Sequence, residues 1–328
     1  MLSLKLIKTM QSFFKKLCIN RKEIAKEVSK AAEANTYVET VAPSLADSLH
    51  WNVSRNYTET ITIEFSRFSR DLIRKQRFGA VQLLADITEE DFYGDTTSNM
   101  HIHGWTGEKG VKGKIRYLVV ALQWRNKTIP FYVSILPVGA FKAEYLGKAL
   151  DYAQSLGLRI ENILLDRGFY SGDIINTLQL KKMHYLIFVP KYKKYQYMLD
   201  SVEKQAIIEY EIVYSKNKSK HRAETPLVLL KNYLNYDWVF ASDLFFADAT
   251  RYVSFYKKRW NIETMFRVHD EARIKSKSRK AEIRLFYFVI SMLFLLVWNL
   301  FVKSEIVFKR FVIEIAEQLA EELASVNI

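Results

Sequence analysis

Residues Leu285–Val302 run for eighteen positions without a charge, between Arg284 and Lys303. A stretch of that length reaches the lower limit for a helix that crosses a bilayer. It is also what a helix apolar on all sides needs at the centre of a large core. Ser291 and Asn299 are tolerated in either place. The chain has 328 residues, enough for about two domains and a core of that size. The sequence upstream reads as globular and offers no second span, so the expectation is a core helix and no membrane partner. The membrane reading instead predicts a chain that sediments with membranes and needs detergent.

Charge narrows the partners. Lys and Arg number 49 against 36 Asp and Glu, a formal charge of +13, and aromatics make up 14% of the chain. That surplus points to a polyanion, although an ordinary basic soluble protein has the same composition. The single cysteine, Cys18, excludes an internal disulfide framework and a cysteine metal cluster, and it fits a reducing cytoplasm. Met1–Lys22 has no acidic residue and carries Lys5, Lys8, Lys15, Lys16, Arg21 and Lys22. It lacks the uninterrupted apolar core and small-residue cleavage site of a secretory signal. A surface or DNA-facing helix is expected there.

The pattern along the chain separates several regions. Residues 1–77 read as helical, with Glu23–Ala34 rich in Ala, Glu and Lys. Arg67, Arg70, Arg74, Lys75 and Arg77 cluster at the end of this region, as in a small DNA-binding module or a solvated charged face. Residues 78–190 alternate between strand and helix patterns. Strands are expected at Ala80–Ile87, Ile115–Trp124, Ile129–Val138, Ile160–Leu165 and Tyr185–Val189. Helices are expected at Ala143–Leu156 and after a Ser171 cap. The order β-β-β-α-β-α-β implies an α/β fold with a mixed sheet flanked by helices. Residues 191–240 read as a β-rich insertion, with strands at Ala206–Tyr214 and Pro226–Leu230 split by a basic loop, Ser215–Arg222. Helix resumes near Ala247, so that 241–304 completes the second domain with the apolar helix. A C-terminal helix covers 305–328.

The chemistry-bearing positions follow from this layout. Asp86 and Asp166 end the two strands most suited to burial, and each leads into a turn-like segment. Carboxylates at strand ends can converge on one edge of a sheet. Asp91 and Asp95 are rivals of Asp86, and an Asp after a strand is often only a turn or cap residue. On a continuous helix, Tyr256, Arg259, Glu263 and Arg267 fall at roughly 0°, 300°, 340° and 20°. One carboxylate then shares a face with two guanidiniums and a phenol. Glu263 also has the spacing to pair with Arg259 or Arg267 across one turn. Three carboxylates are suitable hard ligands for two Mg²⁺ ions. Two such ions about 3.5–4 Å apart serve the in-line displacement of a phosphodiester. Guanidinium and phenol suit phosphate oxygens. His101 and His103 form a His-x-His pair with no third histidine or cysteine beside it, which reads as a polar loop.

Together these motifs resemble the DDE transposases of prokaryotic insertion sequences, in particular the insertion-sequence-four type and its relatives. Their signature is Tyr, two residues, Arg, three residues, Glu, six residues, Lys. Tyr256, Arg259 and Glu263 match it in identity and spacing. Ala-Asp86-Ile-Thr and Leu-Leu-Asp166-Arg-Gly-Phe-Tyr resemble the two Asp-bearing strands. The signature's Lys position holds Asp270 here, with Arg267 one turn earlier as the replacement cation and Lys275 as a weaker one. The resemblance covers about residues 79–303.

It implies a ribonuclease-H-like core and metal binding by Asp86, Asp166 and Glu263, with Mn²⁺ able to replace Mg²⁺. Tyr256, Arg259 and Arg267 would grip phosphates. Cleavage and strand transfer at the element's ends would pass through a DNA hairpin, with a homodimer holding double-stranded DNA in the prokaryotic cytoplasm. A hairpin calls for an aromatic that receives an unstacked base, and Tyr195, Tyr197 and Trp238 are the candidates, although each also suits packing. Two other readings stay open: a non-catalytic DNA-binding descendant, motivated by Asp270 and the short N-terminal region, and a stand-alone metal-dependent nuclease.

Overall fold

The computed structural model describes residues 12–14, 22–95, 100–104, 107–216, 218–302 and 306–324. Most of the basic segment before Lys22, with Cys18, lies outside them, as does Lys303. Within that segment Phe13 is buried and packs against Phe65 and Phe68.

Four helices open the described chain: α1 (Lys22–Glu33), α2 (Val38–Val41), α3 (Pro43–Ser54) and α4 (Thr58–Ile73). Arg74, Lys75 and Arg77 follow the last of these rather than lying on it. The sheet begins with β1 (Val81–Phe92), β2 (His103–Gly104), β3 (Gly113–Trp124) and β4 (Lys127–Leu136). Helix α5 (Lys142–Ser155), β5 (Ile160–Leu165), α6 (Gly172–Leu180) and β6 (Tyr185–Phe188) come next. Then follow α7 (Lys193–Asp200), β7 (Gln205–Lys216), β8 (Ser219–Tyr233) and β9 (Tyr236–Ser242). The chain continues through α8 (Thr250–Tyr256), a 3-10 turn at Lys257–Arg259, α9 (Trp260–His269), α10 (Ala281–Phe301) and α11 (Phe308–Ala324).

The strands form one nine-stranded sheet in the order β2-β3-β1-β5-β6-β9-β8-β7, with β4 also paired to β3. Strand β3 runs antiparallel to β1 and to β4, while β5 is parallel to β1 and β6 is parallel to β5. Three antiparallel strands followed by two parallel ones, with helices packed over them, form the ribonuclease-H-like arrangement. Near-continuous Val, Ile and Leu in β3, β4 and β5 reflect burial on both faces.

Beyond β6 the sheet continues instead of stopping. Strand β9 returns to pair antiparallel with β6, and β8 and β7 extend the same sheet outward. The basic stretch expected as a loop is therefore mostly strand, because Tyr214, Ser215 and Lys216 pair with His221, Lys220 and Ser219. Lys193–Asp200 is helical, a feature the alternation of basic and aromatic residues concealed. Its buried residues are Tyr195 and Leu199, four apart on one face. Helix α6 approaches the β7–β8 ribbon closely. A Cβ at Gly172 would lie 2.3 Å from the Tyr214 ring, and Asn176 donates to the Tyr214 hydroxyl at 2.9 Å.

The apolar run forms most of α10, and it is a core element. It packs against β4, α4 and α3, and 83% of its most apolar window is buried within the chain. The membrane reading loses its basis, because the apolar surface is already covered by protein. Asn299 donates to the Leu295 carbonyl at 3.0 Å and Ser291 to the Ala272 carbonyl at 2.7 Å, so both buried polar groups are paired. Phe294 is fully buried in this helix. Phe294→Ala should cost about 3–5 kcal/mol of unfolding free energy, read from the shift of a denaturant melt. A loss below about 1 kcal/mol would contradict a core position for α10.

Candidate active site

The site starts from strand register. Ala85 of β1 lies opposite Leu165 of β5 in a parallel pair. The next residue on each strand is Asp86 and Asp166, so two carboxylates are delivered side by side where β5 ends. Strand β1 continues past this point, paired with β3 through Asp86 and Val119, whereas β5 stops and the chain turns. Asp166 caps that turn, accepting from the Gly168 amide at 2.9 Å. A Cβ at 168 would sit 3.1 Å from Asp166 Oδ1, so glycine permits the close approach. Asp86 Oδ1 accepts from the Ile87 amide at 2.8 Å.

The third carboxylate reaches the pair through a guanidinium. Arg259 Nη1 donates to Asp86 Oδ2 at 3.4 Å, and Nη2 donates to Glu263 Oε1. Its Nε donates to the Tyr256 hydroxyl at 3.0 Å. Arg259 is buried, 7% exposed, while the Glu263 side chain is 53% exposed. The ring of Tyr256 is buried against Phe188 and Phe240. Tyr256 thus braces Arg259 from β6 and β9, and Arg259 spans the gap between the strand and helix carboxylates.

Electrostatics mark the pair as strained. The Asp86 carboxyl is pushed up to about 6, first by burial and then by the Asp166 charge, with Arg259 acting in the opposite direction. Burial raises the Tyr256 phenol well above its ordinary value, so it stays neutral. Arg259 moves up as well: its burial acts downward, and Tyr256, Glu263 and Asp86 outweigh it. Among the described residues no three metal-ligating side chains stand together at ligand spacing. The donor chemistry nevertheless suits a hard divalent cation. Arg259 joins Asp86 to Glu263, Asp166 stands beside Asp86, and the repulsion between the two aspartates is what added positive charge relieves.

The continuous helix expected for the Tyr256 motif is instead broken. Residues 257–259 tighten into a 3-10 turn between α8 and α9, so the angles of a single helix do not carry across it. Arg259 and Glu263 still meet, as an i,i+4 pair. Arg267 is not brought to the carboxylates: it is exposed and donates to Thr264 Oγ1 at 3.1 Å. Asp270 pairs with its neighbour His269 at 3.4 Å, and its carboxyl is held below the usual range by that contact and by Arg273, against the effect of burial. Lys275 joins an isolated bridge with Tyr37.

Tyr195 is buried and shares a 2.7 Å hydrogen bond with the Tyr170 hydroxyl, so packing rather than base stacking accounts for it. Trp238 is half-buried, stacked on Phe240, and donates to the Tyr233 carbonyl. Tyr197 is 72% exposed and is the one of the three with an open ring. His103 is paired with the Leu136 carbonyl at 2.9 Å, and Asp91 with Lys114 at 3.4 Å.

Two groups near the site went unnoticed in the sequence. Lys142, at the start of α5, donates to the Gly168 carbonyl at 2.8 Å. Arg284, which bounds the apolar run, is buried and donates to Glu90 at 2.9 Å and to the carbonyls of Ser278 and Ser276. Glu90 also accepts from the Tyr117 hydroxyl at 2.7 Å. This network ties the segment after α9 to β1, four residues beyond Asp86. A charge at the head of an uncharged run was the available signal.

The sheet order is that of a ribonuclease-H-like fold, with two aspartates paired where the central strand β5 ends. The family model described as the transposase DDE domain matches residues 143–300, a span that includes Asp166 and Glu263 and begins after Asp86. The cryo-EM structure of the piggyBac transposase synaptic complex with hairpin DNA shares the fold, with a TM-score of 0.58 at 12% identity over 96% of this chain and 77% of that one. No curated protein sequence matches the chain.

The raised Asp86 carboxyl gives a pH prediction with a definite sign. A carboxyl raised in the folded state favours the fold below its ordinary value of 3.8. That contribution disappears as pH rises through about 6. Asp86→Asn removes the titration. Between about pH 4 and pH 7, metal-free Asp86→Asn should gain on the unsubstituted protein by up to about 3 kcal/mol. Chemical melts with chelator present would measure this, and parallel stability curves for the two proteins would contradict it.

Proposed function

We propose that this chain is a DNA transposase that cleaves and rejoins phosphodiesters at the ends of its own element. The observation that carries the reading is the register of Asp86 beside Asp166, with Glu263 joined to Asp86 through Arg259. The match to the transposase DDE domain supports the same reaction class.

Two Mg²⁺ ions, with Mn²⁺ as a substitute, would be held by Asp86, Asp166 and Glu263, and would supply activation of the attacking oxygen and stabilisation of the leaving one. The chain's own residues do the rest. Asp86 and Asp166 provide a rigid edge, because neighbouring strands fix both. Glu263 is half exposed on α9 and held by Arg259. Tyr256 keeps Arg259 aligned between Asp86 and Glu263, where its guanidinium would also suit phosphate oxygens. Water would be the first nucleophile and the released 3′-hydroxyl the second. The finer reading places the protein with the insertion-sequence-four relatives in the prokaryotic cytoplasm. It includes a hairpin intermediate, with the exposed Tyr197 as the candidate for stacking, and a homodimer that holds two DNA ends.

Purified protein incubated with Mg²⁺ and duplexes carrying the ends of the DNA segment that encodes it should release strands and join them to a second duplex. Asp86→Asn, Asp166→Asn and Glu263→Gln should each fall to background. Denaturing gels would show a hairpin as a slow, full-length single strand. Wild-type cleavage by all three variants would remove the site. Cleavage without joining would favour a nuclease, and binding without cleavage in Mg²⁺ or Mn²⁺ a non-catalytic descendant.

A further inference from the structure

Lys142 reaches the acidic centre through the Asp166 turn, whereas Arg259 contacts Asp86 and Glu263. Lys142 Nζ donates to the Gly168 carbonyl at 2.8 Å, and the Gly168 amide in turn donates to Asp166 Oδ1 at 2.9 Å. The ammonium also lies 5.9 Å from the centre of the Phe169 ring, and Phe169 is buried beneath the turn. The side chain is therefore pinned to the loop that carries the second aspartate.

Its charge is unusual in being unspent. Lys142 is half-buried, yet among the described residues its hydrogen bond goes to a neutral carbonyl and it forms no ion pair. The nearest acid on its own helix, Glu144, is taken by Lys148 at 2.9 Å. Lys216, which also approaches this end of α5 over Phe141, is paired with Asp173 at 2.8 Å. Arg116 is paired with Glu89 at 2.8 Å. Arg259 is committed to Asp86 and Glu263. The Asp166 charge acts on this half-buried ammonium without bonding to it, so two of its N–H groups are left to meet an arriving anion.

We infer that Lys142 is a positioning residue that binds a DNA phosphate beside Asp166, holding the strand at the aspartate that Arg259 does not contact. This rests on the transposase reading, since the anion is taken to be the substrate backbone. The contact is to phosphate, so it orients the strand without reading sequence.

The test is the salt dependence of DNA affinity, measured by fluorescence anisotropy with the duplex ends described above and Ca²⁺ replacing Mg²⁺ to suppress cleavage. Lys142→Gln should weaken binding about tenfold and lower the slope of log affinity against log salt by about 0.9. Lys142→Arg should keep the slope. Lys142→Met preserves the apolar stem over Phe169 and should behave as Lys142→Gln does, which covers the case in which the glutamine variant fails to fold. Lys148→Gln, the same charge change on the same helix, should leave the slope unaltered. An unchanged slope in both Lys142→Gln and Lys142→Met, or an equal change in Lys148→Gln, would overturn the inference while leaving the transposase reading intact. Failure of the unsubstituted chain to bind DNA would overturn both.

Discussion

Parallel pairing of β1 with β5 is the constraint on which the rest depends. Side chains on neighbouring parallel strands stand level only when the register is correct, and a one-residue slip turns every side chain to the other face. Here that register sets Ala85 against Leu165, and the residues that follow are the two aspartates. The buried Val, Ile and Leu of both strands secure it, since any slip would expose them. Two carboxylates are thereby brought together, and the Asp86 carboxyl is raised first by its burial and then by the Asp166 charge. The fold's hydrophobic burial offsets the cost of bringing them together until cationic charge arrives.

Arg259 is the second element of the design. A buried guanidinium needs partners, and it finds Asp86, Glu263 and Tyr256. This gives the acidic centre a resident cation and gives α9 a defined position over β1. The Arg284–Glu90 contact does similar work further along β1. The helix bearing Glu263 is thus held at its start by Arg259, and the segment that follows it by Arg284, while the Glu263 side chain is half exposed.

Much of the fold was legible because its signals are local. β3, β4 and β5 show as apolar runs bounded by turns, and Ser171 caps α6 as its type and place suggest. Asp86 and Asp166 stood out as strand-end carboxylates. The misreadings arose where tertiary contact decides. Lys191–Tyr197 alternates basic and aromatic residues, and only burial of Tyr195 and Leu199 together makes it helical. Arg267 shares a face with Glu263 on α9, but its guanidinium bonds to Thr264 and stays exposed. Lys142 carried no signal, because its importance lies in touching a loop twenty-six residues away.

The sequence by itself determined most of the strand and helix order up to β6, the need to bury Leu285–Val302, the basic surplus and which carboxylates are candidates for a site. These follow from composition and short-range periodicity, which a chain carries before it folds. The tertiary structure decided that the apolar helix lies in the core, that β7–β9 prolong the main sheet, and that Arg259 links the helix acid to the strand acid. It also decided that Lys142 is left unpaired beside Asp166. Each of these depends on distances between residues far apart in the chain, set by sheet register and by which charges find partners first.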